Sequence, residues 1–264
     1  MKLTLASASG NVFAYLWADE APPGFDGPAW AKRLCARGSG FGLDGIYLLQ
    51  RPGPGPWVMD HWDADGSATF CSNGTRAALG VPSAPQGPQV ETRSNGEAIL
   101  LRRDDAGVGI RMPEDGDCGL RPVPIETDVP SGYGWVGNPQ LVLRVPSVAG
   151  VDLAALAPPL RFHRAFPDGT NVNVVEVTAP GEARIRSWER GVEGETLCCG
   201  TGCAVTAAWL ARTEGITAWT FQPAGEDPVK VQLELDGDQW RELWLSGAVR
   251  VLGVVEPDPS LGLG

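Results

Sequence analysis

Cys71-Ser72-Asn73-Gly74 and Cys199-Gly200-Thr201-Gly202 are the two stretches on which the fold turns. In each, a cysteine is followed two residues later by a residue type that caps helix N-termini, and then by glycine. Each also opens a run that suits a helix: residues 75–79 in the first case, and residues 203–213, with Gly215 as the stop, in the second. Other pairs echo one another around them in the same order and at a nearly constant separation. Gly10-Asn11-Val12 is answered by Gly137-Asn138-Pro139, Phe41-Gly42-Leu43-Asp44-Gly45 by Phe166-Pro167-Asp168-Gly169, and Trp62-Asp63 by Trp188-Glu189. Four echoes in one order indicate a duplicated structural unit.

Between these markers lie short segments rich in Val, Ile, Leu and aromatics and bounded by Gly, Pro or Asp. Residues 11–17, 45–50, 98–103, 140–145, 172–177, 229–235 and 248–255 read as strands in a turn-rich, largely antiparallel arrangement. The expected fold is α+β, each half a sheet wrapped about one helix whose N-terminus carries a cysteine. The Pro-rich stretches 52–56 and 81–88 read as surface loops. The expected division is a first half over 1–118 with Cys71 and a second over 119–252 with Cys199. The halves meet near 116–130, and a last strand at about 253–264 packs back on the first half.

The chain has 264 residues, enough for two domains with a core each. Hydrophobic residues are 43% and charged residues 20% of it, and no apolar run approaches the ~20 residues that cross a bilayer. The apolar run after Lys2 is too short and polar for a signal peptide. A cytoplasmic protein is expected. A net charge of -11 argues against nucleic acid or anionic membrane as a partner, since no basic patch neutralises phosphate. Six cysteines, three of them crowded at 198, 199 and 203, do not form the even framework of a small secreted scaffold, and reduced thiols with a chemical purpose fit better.

A cysteine at the start of a helix sits where unpaired backbone N–H groups converge. That setting favours thiolate over thiol and offers a cradle for a carboxylate without a lysine or arginine. Two such cysteines closing on one carboxylate-bearing carbon would give a two-base stereoinversion: one thiolate abstracts the α-proton and one thiol donates from the opposite face. Helix-end hydrogen bonds would stabilise the developing charge, and no cofactor site is evident.

At these residues the sequence resembles a known family. Cys71-Ser72-Asn73-Gly74-Thr75-Arg76 and the stretch from Trp188 through Glu189, Arg190 and Gly191 to Cys199-Gly200-Thr201-Gly202 look like the two signatures of the diaminopimelate epimerases. Gly10-Asn11, residues 42–45, Asp63-Ala64-Asp65-Gly66, Gly137-Asn138-Pro139 and Gly169-Thr170-Asn171-Val172-Asn173 match further stations in order, so the likeness spans nearly the whole chain. The resemblance implies two pseudo-symmetric domains with the active site between them, no metal, no cofactor and a homodimer. It also implies a small-molecule amino-acid substrate, LL-diaminopimelate becoming meso-diaminopimelate. Carried over position by position, it implies Cys71 and Cys199 as the catalytic pair. It further implies that Asn73-Gly74 and Gly200-Thr201 cradle the reacting carboxylate, that Ser72 lies among the substrate-binding residues, and that Asn11, Asp63, Asn138, Asn171, Glu189 and Arg190 hold or border the remote end.

The sequence departs from the family in places that bear on substrate. Ser72 replaces a glycine, which predicts a strained or altered backbone there. Asp63 replaces an asparagine, Gln140 replaces a histidine near the catalytic pair, and the stretch before Cys71 is one residue shorter. A racemase acting on ornithine, lysine or histidine is therefore a second reading. A silent amino-acid-binding protein and a thiol–disulfide protein are readings of other classes, the last disfavoured because Cys71 and Cys199 lack C-x-x-C spacing. Cys35, Cys118, Cys198 and Cys203 read as packing residues, with Cys198 facing away from Cys199. The two histidines, His61 and His163, read as loop or surface residues.

Overall fold

The computed structural model describes residues 1–114, 117–258 and 261–262. The chain forms two compact units, Met1–Ile110 joined by Ala248–Gly264, and Arg111–Gly247. It leaves the first unit ahead of the expected join near 116–130, of which residue 116 lies outside the described residues.

The first unit holds β1 (Leu3–Ala8), β2 (Asn11–Trp17), α1 (Gly27–Leu34), β3 (Gly45–Leu49), β4 (Trp57–Asp63), α2 (Ser72–Ala78), β5 (Gln89–Ser94), β6 (Glu97–Asp104) and β7 (Gly107–Arg111). The second holds β8 (Gly119–Arg121), β9 (Ser131–Trp135), β10 (Pro139–Arg144), α3 (Leu153–Arg161), β11 (Asn171–Ala179), β12 (Glu182–Glu189), β13 (Gly194–Thr196), α4 (Gly200–Glu214), β14 (Ala218–Gln222), β15 (Val229–Asp236) and β16 (Gln239–Gly247). The chain then returns as β17 (Val249–Val255), antiparallel to β1 in the first unit. Of the expected returning segment 253–264, residues 259–260 and 263–264 lie outside the described residues.

The strand pairings prove the duplication. In the first unit β17, β1 and β2 pair antiparallel, β2 and β3 parallel, β3 and β4 antiparallel, β4 and β5 parallel, and β5, β6 and β7 antiparallel. In the second, β8, β9 and β10 pair antiparallel, β10 and β11 parallel, β11 and β12 antiparallel, β12 and β14 parallel, and β14, β15 and β16 antiparallel. The same series is written twice. Each parallel pair needs a crossover, and each crossover carries a helix.

That requirement corrects the expectation of one helix per half, because among the described residues each unit has two α-helices. α1 begins at an Asp26 cap that accepts from the Ala29 N–H at 3.1 Å with Pro28 in the first turn, and α3 begins at Asp152, which accepts from Ala155 at 3.1 Å. Side-chain parity sorts the layers. Ala14, Leu16 and Ile46 meet α1 through Trp30, Ala31 and Leu34, while Leu141, Leu143, Val172 and Val174 meet α3 through Leu153 and Ala157. The opposite faces of the same strands receive the cysteine-led helices: α2 packs on β1, β2, β3 and β17, and α4 on β8, β9, β10, β11, β14, β15 and β16. Covered on both faces, β11 begins as an unbroken buried run. α4 is small-residue rich and buried from Gly202 to Ala211, as a helix enclosed by sheet must be.

The closeness of that enclosure is measurable at Gly132 on β9, where an added Cβ would lie 2.4 Å from the Trp209 ring of α4. Gly132→Ala is expected to destabilise the protein by about 1–3 kcal/mol in denaturant unfolding. Gly53→Ala, with no atom within 4 Å of the new methyl, should stay within about 0.5 kcal/mol of the parent. Equal effects would show that α4 is not tightly gripped.

Candidate functional site

Each cysteine of the repeated motif is the N-cap residue of its helix, in extended backbone: φ -128° and ψ 113° at Cys71, φ -99° and ψ 103° at Cys199. Each carbonyl closes the first helical turn, accepting from Thr75 N and from Cys203 N at 2.9 Å. Cys71 is half-buried, whereas Cys199 is 3% exposed.

In the first unit, Asn73 lies between Asn11, an expected site residue, and Arg76, which was not one. Its Nδ2 donates to Asn11 Oδ1 at 2.9 Å, and its Oδ1 accepts from Arg76 Nη2 at 3.0 Å. Arg76 is fully buried and also donates to Ser9 Oγ at 2.8 Å and to the Val108 carbonyl at 3.1 Å. Beneath the helix start, the Tyr15 hydroxyl donates to the Gly74 carbonyl at 2.7 Å and the Tyr47 hydroxyl to the Cys71 carbonyl at 3.2 Å. Burial first, then the nearby Cys71, pushes both phenols well above their ordinary value, so they remain donors. Ser72 is the first residue of α2 and is absent from the positive-φ residues, so the strain expected from losing a glycine is not there.

Asp63 accepts from Thr69 Oγ1 at 2.6 Å and lies 3.5 Å from His61 Nε2. His61 is not the loop or surface residue expected. It is a fully buried member of β4 stacked on Tyr47 at 4.4 Å, its pKa lowered by burial against the opposing pull of Asp63. His163 does lie in a loop.

In the second unit, Gln140 gathers the site. It donates to Asn138 Oδ1 at 2.7 Å and to Thr201 Oγ1 at 2.8 Å, with the Cys199 sulfur 4.0 Å away, and accepts from Asn173 Nδ2 at 2.9 Å. Thr201 Oγ1 is 3.4 Å from the same sulfur. Asn171 Oδ1 accepts from the Arg190 N–H at 2.6 Å, while the Arg190 guanidinium donates to the Asp168 carbonyl at 3.0 Å. Glu189 accepts from Thr196 Oγ1 at 2.5 Å. Burial first, then the Glu189 carboxylate, pushes the Cys199 thiol well up. The Thr201 hydroxyl and the Gly202 N–H act in the other direction, and Cys198 adds a further upward push. Cys198 precedes the helix rather than lying on a strand, and it shares a hydrogen bond with Cys203 that, followed by burial, raises the Cys203 thiol.

Tyr47 and Asn173 are among the residues that the sequence does not assign to the site. The parallel registers pair Tyr15 with Tyr47 and Val142 with Asn173, so Tyr47 and Asn173 hold corresponding places. Each meets the glycine of its cysteine motif: a Cβ on Gly74 would lie 2.5 Å from Tyr47, and one on Gly202 would lie 2.2 Å from Asn173 Oδ1. Glycine in the motif therefore admits a supporting side chain to the helix start. The alternation Asn171-Val172-Asn173 was the available signal, since it puts both amides on one face of β11.

Chemically, each motif places a sulfur beside helix-start N–H groups that have no carbonyl partner within the helix, suited to an anion and to a thiol that changes charge. Among the described residues, no three His, Cys, Asp or Glu side chains are placed to hold a metal ion, and no helix is long and apolar enough to cross a membrane.

Residues 133–241 match a family model described as diaminopimelate epimerase. A diaminopimelate epimerase of Gemmatimonas aurantiaca is 33% identical over 252 residues, covering 89% of this chain and 88% of that protein. The one from Methanothermobacter thermautotrophicus is 30% identical over 269 residues, covering 92% and 93%. Among solved structures, a PhzF-family phenazine biosynthesis protein of Bacillus anthracis superposes with a TM-score of 0.70 at 14% identity, covering 97% of this chain and 98% of that one. A hydroxyproline epimerase of Agrobacterium vitis gives 0.60 at 15%, covering 99% and 93%. At these identities the structural likeness shows the fold.

Burial orders the thiols. Site-resolved iodoacetamide labelling of the folded protein is expected to modify Cys71 well before Cys199 and Cys203. Because the fold raises the Cys199 value, it holds its proton past the 9.0 usual for a thiol, so its labelling should rise with pH only beyond that point. In denaturant the difference should vanish. Early labelling of Cys199 at neutral pH would overturn this order.

Proposed function

Since the chain belongs to the diaminopimelate epimerase family, sharing 30% identity or more with members over most of its length, and is thereby an isomerase of the epimerase and racemase class, we propose that it inverts the α-carbon of diaminopimelate, LL to meso, with Cys71 and Cys199 as its two bases. The observation that carries this reading is the cysteine N-cap repeated at the same place in two units with the same series of strand pairings.

In this reading one thiolate removes the α-hydrogen as a proton, and the electron pair left on carbon spreads into the carboxylate. The other thiol then delivers its proton to the opposite face, so each turnover exchanges the charge states of the two sulfurs. The helix starts at Ser72-Asn73-Gly74 and Gly200-Thr201 supply N–H donors for the carboxylate as its charge grows. Burial and Glu189 favour the thiol at Cys199 at rest, which makes Cys199 the first donor and Cys71 the first base. Asn11, Asp63, Asn138, Asn171, Glu189 and Arg190 are assigned to the substrate's remote end, where an acid next to a guanidinium suits an ammonium and a carboxylate together.

The test is wash-in of solvent deuterium at Cα, followed by mass spectrometry, across diaminopimelate, ornithine, lysine, histidine and glutamate. Exchange and inversion are expected with diaminopimelate. Cys71→Ala and Cys199→Ala should each reduce inversion by at least ~10²-fold, the scale of a lost acid or base, while Cys198→Ala retains it. Exchange into ornithine or histidine alone would keep the chemistry and replace the substrate. No exchange into any of them would end the enzyme reading in favour of a binding protein.

A further inference from the structure

The hydrogen bonds under α4 have a direction, and it is fixed by one group. A backbone carbonyl can only accept, so the Asn173 atom that meets the Leu141 carbonyl at 3.1 Å is its Nδ2. That assignment turns Asn173 Oδ1 to the Ser187 hydroxyl, which donates at 2.7 Å, and commits Gln140 Oε1 to accept from Asn173 at 2.9 Å. With its oxygen so used, Gln140 presents only N–H groups on its other side, to Asn138 Oδ1 at 2.7 Å and Thr201 Oγ1 at 2.8 Å. Gln140 and Asn173 are both fully buried, so bulk water does not compete for these groups. Thr201 has one hydroxyl proton. Gln140 occupies one lone pair of its oxygen, and the Cys199 sulfur lies 3.4 Å away, where a thiolate can only accept that proton.

We propose that Gln140 is a positioning residue for Cys199: by donating to Thr201 Oγ1 it holds the Thr201 hydroxyl beside the sulfur, where it donates once Cys199 is a thiolate. Ser187, Asn173 and Gln140 form the relay that fixes which way the Gln140 amide faces, and Gly202 admits it, since a Cβ there would stand 2.2 Å from Asn173 Oδ1. No member of the relay titrates in the neutral range, so Thr201 is held in place whether Cys199 holds its proton or has given it up. The titratable groups that face the sulfur are Glu189 from β12, Cys198 beside it and Cys203 one turn along α4. Thr201 therefore supports the thiolate against burial and against Glu189. This inference rests on the reading of Cys199 as a base.

The experiment is site-resolved alkylation of Cys199 as a function of pH in the full-length protein, with Cys71 in the same digest as the control for folding. Thr201→Val is expected to lower the thiolate fraction of Cys199 at a given pH about tenfold, the effect of one lost hydrogen bond to a charged group. Thr201→Ser, which keeps the hydroxyl, should titrate like the parent. Gln140→Leu should shift Cys199 the same way as Thr201→Val, and the double variant should shift it no further. Should Gln140→Leu fail to fold, Gln140→Glu keeps an acceptor for Asn173 and removes the donor at Thr201; its effect should shrink in the Thr201→Val background. Additive shifts, or an unshifted Cys199 in the Gln140 variants, would overturn the proposal. Deuterium exchange on the same parent sample separates the two levels. Exchange with unmoved titrations sinks the positioning role alone, whereas moved titrations without any exchange sink the reading of function alone.

Discussion

The start of a helix buried inside a sheet is the constraint on which this molecule depends. The first N–H groups of α4 have no carbonyl within the helix to meet them, and leaving a buried polar group unpaired costs about 1–3 kcal/mol. Where such a helix enters, polar groups gather beside it. Gln140, Asn173 and Ser187 are buried there, Asn173 bonded to both of the others and Gln140 to the Thr201 hydroxyl in the first turn of α4. Glycine stands at 202 because any side chain there would displace the Asn173 amide.

The two units solve this problem with one backbone and two casts of side chains. The main series of strand pairings repeats, β13 beside β12 being an addition of the second unit, yet the place held by Asn173 in the second unit is held by Tyr47 in the first, and that of Gln140 by Phe13. Phenol hydroxyls reach the carbonyls of Cys71 and Gly74 directly, with a buried arginine holding Asn73, whereas in the second unit a relay of amides reaches a hydroxyl and then the sulfur. The backbone carries the duplication because register and crossover geometry tolerate little change. The layer beneath each helix varies because any set of groups that pairs fully is acceptable.

What could be read from the sequence follows the same division. The cysteine motifs, their glycines and the apolar runs that became β2, β10, β11 and β15 are local patterns, and local patterns carry period and capping information. α1 and α3 were missed although Asp26 with Pro28, and Asp152, are ordinary start signals. Pro158 and Pro159 in the last turn of α3 hid the second of them. The requirement for a crossover helix becomes visible only once the parallel pairs are known. His61 was misplaced because one polar residue in a strand does not reveal which face it takes, and its burial depends on Tyr47 from the neighbouring strand. Asn11 and Asn73 do meet, and Arg76 and Asn173 stand within quoted motifs although their part in the site depends on what the fold sets beside them, whereas Tyr15, Tyr47 and Ser187 enter through strand pairing that no short motif encodes.

The neutrality of the relay bears on how well a thiol can serve as a base. A cation beside Cys199 would hold its thiolate strongly, but a thiolate held strongly accepts a proton poorly, and proton transfer is most effective when the base matches the carbon acid's demand. Burial and Glu189 have the opposite influence, keeping the proton on sulfur. In the proposed arrangement the Thr201 hydroxyl held by Gln140 lies between these extremes: it would moderate the penalty of burying a thiolate without removing the thiolate's basicity. The proposed exchange of roles between two cysteines requires that neither charge state be a trap, and groups that do not titrate, oriented through the Leu141 carbonyl, would meet that requirement.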